Sequence, residues 1–514
     1  MSAFSYLRFD IIQLKIFKRG AIMKGFDKII GYKTIKQQLV RTCDVVKNYQ
    51  KYASLGVRAP RGMLLEGKPG VGKTLMANCF IAECERPVFV CRRNKSDNEF
   101  VEHIKSVFEE AKQNAPSIVL LDDIDKFSND DYDSCDSQEF VTVQSCIDEI
   151  GKTQVFVIAT ANDTRYLPDS LIRAGRFDIR IAVEAPEPAD AKEIVIHYLA
   201  KKQCIDGIAL EDAAELLAGK TCAEIESIIN GAAILAGYVE NYMIEYDDIV
   251  KSFLEFTFKG KNSGSVPSNV DSRRHVAYHE AGHVVVTELL FDGGTALATI
   301  GNEYNLGMTM PSPLIAYSPT VEFQESKGLI ALGGRAAVEI AFGEIDVGAS
   351  DDIKKAMQIS SRIVDDTCIH GFATYDMFRD LQPIVETRNE LLVIERVEEW
   401  YLRVKKMLVQ NRPLLDGIAR ALIEKSTITK RDIARIKADL KQGKMSVDST
   451  EFDELYLRAV KLCIDKKQCS IPFLQRNLKI GFHIAAELVD KMIADGLISD
   501  RYDANKKTYE VIAE

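Results

Sequence analysis

The sequence predicts an α/β module with a parallel sheet and a helical lid, then a mainly α-helical domain, then a small winged helix. Three observations carry this prediction. From Met63 onward, short apolar runs alternate with helical patterns, which is the signature of a parallel sheet covered on both faces. From Ala189 to about Phe256 the pattern turns wholly helical. Two polar junctions, at 259–269 (KGKNSGSVPSN) and at about 441–450, then cut the chain.

Bulk properties are consistent with several domains. At 514 residues the chain exceeds what one core supports. Its 46% apolar and 28% charged content is that of an ordinary globular protein, and a net charge of −10 gives no general footprint for nucleic acid. Eleven cysteines with no C-x-x-C pair suit a reducing compartment, so a cytoplasmic location is expected. No stretch reaches the apolar length a membrane helix needs. The leader, 1–22, interleaves Arg8, Lys15, Lys18 and Arg19 with Phe9, Ile11, Leu14 and Ile16. It therefore has no signal-peptide core, and it reads as a strand or disordered leader or as a peripheral membrane contact. Met23 is an alternative start.

The first strand, Met63-Leu64-Leu65, leads into Gly67-Lys68-Pro69-Gly70-Val71-Gly72-Lys73-Thr74, which fits G-x-x-x-x-G-K-[ST]. Glycines let backbone N–H groups curl around phosphate oxygens, and the helix that follows adds its dipole. Lys73 would reach the β- and γ-phosphates and Thr74 the magnesium; Gly67, Pro69, Gly70, Val71, Gly72 and Leu75 complete the contact set. Pro87 to Val90, Ile118 to Leu121 and Val155 to Ile158 are further buried strands. Asp122, ending the third, would hold magnesium directly or through water. Asp123 stands where the attacking water would be polarised; Glu is usual there, so the carboxylate is one methylene short and the hydrolysis rate is in question. Asn162, at the end of the next strand, can orient the same water.

Leu171-Ile172-Arg173-Ala174-Gly175-Arg176-Phe177-Asp178 resembles the second region of homology of AAA ATPases. That resemblance implies that Arg173 and Arg176 are arginine fingers reaching a neighbouring subunit's nucleotide, in a homo-hexameric ring. Phe26 to Gly31 resembles the segment that lies against adenine in this family, which singles out Ile30 and Gly31.

In the helical domain, His279-Glu280-Ala281-Gly282-His283 fits H-E-x-x-H. Two histidines four apart share a helix face and can bind one metal, and Glu280 can take a proton from an activated water. The wider string Val276 to His283, with Leu332 to Glu344 and Gly348-Ala349-Ser350-Asp351-Asp352-Ile353, resembles the FtsH family of ATP-dependent zinc metalloproteases. The resemblance covers about 24–441. It implies one zinc ion per subunit, ATP with magnesium, and unfolded or tagged polypeptide substrates, cytosolic or membrane-associated. It also implies Asp352 as third metal ligand, in preference to the competing Asp351. His275 is read as structural.

Two departures from the family pattern stand out. The family's N-terminal membrane helices have no counterpart here. Its aromatic pore loop has as nearest match Phe100-Val101, without the glycine; Phe100 either grips substrate or packs at a helix start.

Residues 453–512 read as helix, turn, helix and hairpin, and Leu474 to Phe482 resembles the gamma domain of FtsK DNA translocases. In that family the following positions read the major groove; here they are His483, Ile484 and Glu487. Between Met445 and Glu514, ten Lys and Arg face twelve Asp and Glu, a net of −2, which favours docking of protein over docking of DNA.

The domain plan is thus a leader (1–22), an AAA ATPase large subdomain (23–187), a helical lid (188–257), a linker (258–270), a zinc metallopeptidase domain (271–445) and a winged helix (446–514). The alternative function is a DNA-associated AAA remodelling ATPase or regulator targeted by the winged helix.

Overall fold

The computed structural model describes residues 25–511 apart from short segments, the longest being 129–136, 259–269, 302–306, 372–382, 443–448 and most of 479–487. The leader, nearly all of the linker, and His483, Ile484 and Glu487 lie outside the described residues. The chain divides into two compact units, 1–259 and 260–514.

In the first unit, β1 (Gly62–Glu66), β2 (Val88–Cys91), β3 (Ser117–Leu121), β4 (Val155–Ala161) and β5 (Ile179–Ala182) form one sheet in the order β2-β3-β4-β1-β5, and every pair is parallel. β3 and β4 are buried at every residue, as expected of central strands with both faces covered. Around the sheet lie α1 (Lys33–Lys47), α2 (Lys73–Cys84), α3 (Asp97–Gln113) and α4 (Gln138–Glu149). The lid's elements are helices, α5 (Pro188–Leu199), α6 (Leu210–Leu217), α7 (Cys222–Tyr238) and α8 (Tyr246–Phe258), with an isolated parallel bridge between Cys204 and Ile244. A capping box starts α7, with Glu224 N donating to Thr221 Oγ1 at 3.3 Å and Thr221 N to Glu224 Oε2 at 2.7 Å. The N-terminal turn of α7 meets the phosphate loop, where Ala223 N donates to Gly70 O at 3.1 Å.

One open alternative, the role of Phe100, is decided in this unit. Phe100 is fully buried in α3, packed edge-on against Phe127 with ring centroids 4.9 Å apart. It recurs with Ile104, Val107, Phe108 and Ala111 at helical spacing, so it belongs to the apolar stripe facing the sheet and not to a pore loop.

In the second unit, α9 (Val270–Leu290) crosses α10 (Val321–Phe342), with α11 (Ser350–Thr367), α12 (Pro383–Gln410), α13 (Arg412–Lys425) and α14 (Lys430–Lys441) around them. The α9–α10 crossing is glycine on glycine. A Cβ on Gly282 would stand 2.2 Å from Gly333 O, and one on Gly333 2.7 Å from Gly282 O. Trp400 of α12 fills the core beside Gly328 and donates its indole N–H to Glu325 at 2.7 Å. The helical reading missed a small antiparallel sheet, β7 (Met308–Pro311), β6 (Thr295–Thr299) and β8 (Thr427–Thr429), in the order β7-β6-β8. β8 has only three residues and pairs 128 or more positions from its partner, too short and too distant for a periodic signal.

The tail contains α15 (Ser449–Lys466), α16 (Ile471–Leu478) and the hairpin β9 (Ile498–Asp503)–β10 (Thr508–Val511). Tyr509 N donates to Cys469 O at 2.7 Å, attaching the wing to the turn before α16. Leu474, Leu488, Val489 and Met492 are buried in this winged helix's own core. Among the described residues no helix is long and apolar enough to cross a membrane.

Candidate active sites

The phosphate loop lies between the end of β1 and α2, with Asp122 at the end of β3 and Asn162 just past β4. Ligands bind beyond the carboxyl ends of parallel strands, and these residues converge there. Gly67, Gly70 and Gly72 have φ of 150°, 83° and 100°, which only glycine adopts without strain. Lys73 is buried. Its Nζ donates to Gly67 O at 2.7 Å, Lys68 O at 2.9 Å and Asn162 Oδ1 at 2.9 Å. Burial lowers its pKa against the pull of Asp123.

Asp122 accepts from Thr160 Oγ1 at 2.8 Å and from Thr74 Oγ1 at 3.4 Å, so the residues expected to share magnesium are adjacent. Its other oxygen is 2.5 Å from Arg92 Nη2. Asp123 has φ of 55°, and its N–H donates to Thr160 Oγ1 at 2.8 Å. Its carboxylate accepts from Lys126 Nζ at 2.8 Å and from Asn162 Nδ2 at 3.4 Å. Asn162 thus bridges Lys73 and Asp123. Thr160 and Arg92 were not singled out from the sequence; Thr160 stands on β4 two residues before Asn162, which lies just past its end, and that period-two spacing is the signal that could have found it.

Gly31 and Tyr32 both take positive φ, and Tyr32 N donates to Asp190 Oδ1 of α5 at 2.8 Å. The segment carrying Ile30 is therefore tied to the lid, while Phe26 packs edge-on against Phe80 of α2. Leu75 is half exposed on the first turn of α2.

The two arginines differ sharply. Arg176 is buried, pairing with Asp148 of α4 through Nε–Oδ1 at 3.1 Å and Nη2–Oδ2 at 2.7 Å, with a further bond to Gln144 Oε1 at 2.9 Å. That guanidinium holds the Asp148 carboxyl below its usual range. Arg173 is exposed.

In the second unit, α9 presents His279 and His283 on one face. His279 Nε2 and His283 Nε2 lie 3.0 Å apart, and Asp352 Oδ2 is 3.3 Å from each. Three donors at roughly 2.0–2.1 Å from one ion in tetrahedral array are roughly 3.3–3.4 Å from one another, so the triad fits zinc. The outer nitrogens are fixed: His283 Nδ1 is 2.7 Å from Ile330 O, and His279 Nδ1 is 2.6 Å from Asp346 Oδ2. Each contact turns Nε2 toward the metal position. Burial opposes the imidazolium of His279, but Asp346 and Asp352 outweigh it and raise the pKa to about 9. Burial likewise opposes the Asp352 carboxylate, and the two histidines nevertheless hold it well below the usual range. Asp351 points away, its side chain 84% exposed and 3.2 Å from Lys354.

Glu280 is buried and accepts from Thr309 Oγ1 of β7 at 2.6 Å. Gly334 makes room for the ligands, since a Cβ there would meet His279 Nε2 at 2.6 Å and His283 Nε2 at 2.7 Å. His275 stacks on Phe342, with centroids 4.1 Å apart, and reaches Glu344 at 3.0 Å. Asp346 and Thr309 were not singled out from the sequence. Both lie far along the chain from the histidines, and no local spacing marks them.

Comparison with known proteins follows this geometry. Residues 63–185 match the ATPase family associated with various cellular activities (AAA), 268–436 match peptidase family M41, and 450–513 match the Ftsk gamma domain. ATP-dependent zinc metalloprotease FtsH of Acholeplasma laidlawii is 30% identical over 463 residues, covering 80% of this chain and 69% of that protein. FtsH 2 of Phytoplasma mali is 30% identical over 445 residues, 80% of this chain and 62% of that protein. FtsH of Thermus thermophilus is 28% identical over 446 residues, 80% and 70% respectively. The chain therefore spans 62–70% of the length of these relatives.

Proposed function

The chain belongs to the FtsH family of ATP-dependent zinc metalloproteases, and from that premise we propose that it is an endopeptidase that spends ATP to feed polypeptide to a zinc site built from His279, His283 and Asp352. The observation that carries the peptidase half is the triad of donor atoms 3.0–3.3 Å apart beside the buried Glu280. Zinc, when bound, supplies Lewis acidity to the scissile carbonyl and the attacking water. Glu280 takes the proton from that water and passes it to the leaving amine, while Thr309 holds one of its oxygens in place. Ile330 O and Asp346 keep the histidine rings oriented.

At the nucleotide site, Gly67 to Gly72 with Pro69 and Val71 cradle phosphate, Lys73 neutralises it, and Thr74 and Asp122 hold magnesium. Ile30, Gly31 and Leu75 border the nucleotide. Asp123 and Asn162 orient the attacking water, their mutual contact placing both at one point. The chain works as a ring of six in which exposed Arg173 reaches the neighbour's nucleotide, and Arg176, bound to Asp148, braces the segment that carries it. Substrates are unfolded or tagged polypeptides, cytosolic or membrane-associated. The winged helix, with a net charge of −2, serves protein docking in preference to DNA, and eleven cysteines with no C-x-x-C pair suit the cytoplasm.

The decisive experiment measures zinc content and ATP-dependent casein degradation for wild type and Glu280→Gln. The expected result is about one zinc per subunit in both and a loss of cleavage of about 10²-fold or more, on the order of a general base's contribution. A metal-free wild type, or cleavage unchanged by Glu280→Gln, would sink the reading.

A further inference from the structure

His279, His283 and Asp352 line a cavity of about 940 Å³ whose lining also carries charged groups that the catalytic residues do not use. Two helices carry these groups. On α10, Gly334 touches the rings, and Lys327 and Phe323 follow along the same face. On α11, Asp352 is succeeded by Lys355, Ile359 and Arg362 at spacings of three, four and three residues, one continuous helix face lining the cavity. The acidic lining residues, Glu280, Asp346 and Asp352, all stand at the histidine end. Beyond them, among the described residues, the charged lining side chains are cations.

We infer that this cleft selects peptides bearing acidic side chains three to five residues from the scissile bond, on one side. The inference rests on the endopeptidase reading and adds the substrate class. The distances follow from helix rise. Lys327 is seven residues from Gly334, about 10 Å along α10, and Arg362 is ten residues from Asp352, about 15 Å along α11. An extended peptide advances about 3.3 Å per residue, so these cations meet side chains roughly three and four to five residues from the cleaved bond. Phe323 and Ile359 also line the cavity. Lys327 Nζ lies 4.8 Å from the Phe323 ring centroid, and Lys355 Nζ lies 2.9 Å from Asp352 Oδ1 at the catalytic end. A lysine-rich segment placed here would meet like charge at Lys327 and Arg362, which disfavours it.

The test uses the full-length, zinc-loaded protein and fluorogenic peptides sharing one aromatic-centred sequence, with Glu, Ser or Lys at each position from two to five on either side of the scissile bond. The expected kcat/KM is roughly tenfold higher for Glu than for Lys at positions three to five of one side, since exposed charge pairs each contribute modestly and are screened by salt. In the double variant Lys327→Glu, Arg362→Glu the order reverses, with thermal unfolding used to show that the fold is intact. Equal rates within about twofold, or a Glu preference that survives the double variant, overturn the inference. If no peptide is cleaved, the endopeptidase reading fails separately; fluorescence anisotropy of the same peptides on Glu280→Gln then decides the charge preference, and equal affinities for the Glu and Lys peptides overturn it.

Discussion

Replacing Gly334 by alanine tests how closely the two long helices must approach to build the metal site. The added methyl carbon would stand 2.6 Å from His279 Cε1 and Nε2 and 2.7 Å from His283 Nε2. Ordinary contact begins near 3.4 Å, so the overlap is about 0.8 Å (3.4 minus 2.6) on one ring and about 0.7 Å on the other. The obstacles are the ligand atoms themselves. Metal–ligand distances tolerate only about 0.2 Å, so rings displaced by several times that amount no longer share one ion well. α10 cannot yield instead, because its backbone is pressed on α9 where Gly333 meets Gly282. We expect zinc affinity, measured by competition with a chromogenic chelator, to fall by about 100-fold, the upper end of what disturbing a ligand's orientation costs. Overpacking adds about 1–3 kcal/mol of destabilisation, read by denaturant unfolding of the apo protein. ATP hydrolysis, which uses residues of the other unit, should stay within about twofold of wild type. A variant that keeps zinc affinity within about threefold of wild type would refute the claim that Gly334 sets the space for the ligands.

Three more predictions follow from the geometry. Arg173→Ala should lower ring ATPase by about 10³-fold with unchanged stability, whereas Arg176→Ala, which removes a buried guanidinium bonded to Asp148 and Gln144, should destabilise the first unit by about 1–3 kcal/mol in denaturant melts; equal effects of the two changes on stability would contradict the division of roles. Asp123→Glu lengthens the carboxylate by one methylene and should raise the hydrolysis rate roughly tenfold in a steady-state phosphate-release assay, while Asp123→Asn should nearly abolish it; a slower Glu variant would show that the shorter side chain is matched to this site. Asp346→Asn should weaken zinc roughly 10- to 100-fold by chelator competition and leave the apo fold intact by circular dichroism, and an unchanged affinity would show that His279 needs no carboxylate to orient it.

Chemistry written in contiguous residues was legible without a structure. The phosphate loop needs a strand, a glycine-rich turn and a helix start in immediate succession, and Gly67 to Thr74 carries all three. His279 and His283 share a helix face because roughly 3.6 residues make a turn. The alternation of strands and helices set the parallel sheet, since each crossover must return to the same edge direction. Other features needed the fold. Asp352 rather than Asp351 faces the histidines because α11 begins there and turns one carboxylate inward and the other to solvent. Asp346 and Thr309 reach the site across 67 and 29 residues, separations at which sequence carries no local periodicity. Phe100 reads equally well as a gripping aromatic or a core residue until α3 is seen to bury it against Phe127. The two arginines of one short string have different surroundings only because α4 brings Asp148 to Arg176 and leaves Arg173 exposed. The sequence by itself determined which reactive groups exist and on which elements they ride, because those facts depend on neighbours along the chain. Tertiary structure alone decided which of them meet, because a hydrogen bond or a shared metal position is satisfied over about 3 Å and depends on packing between distant segments.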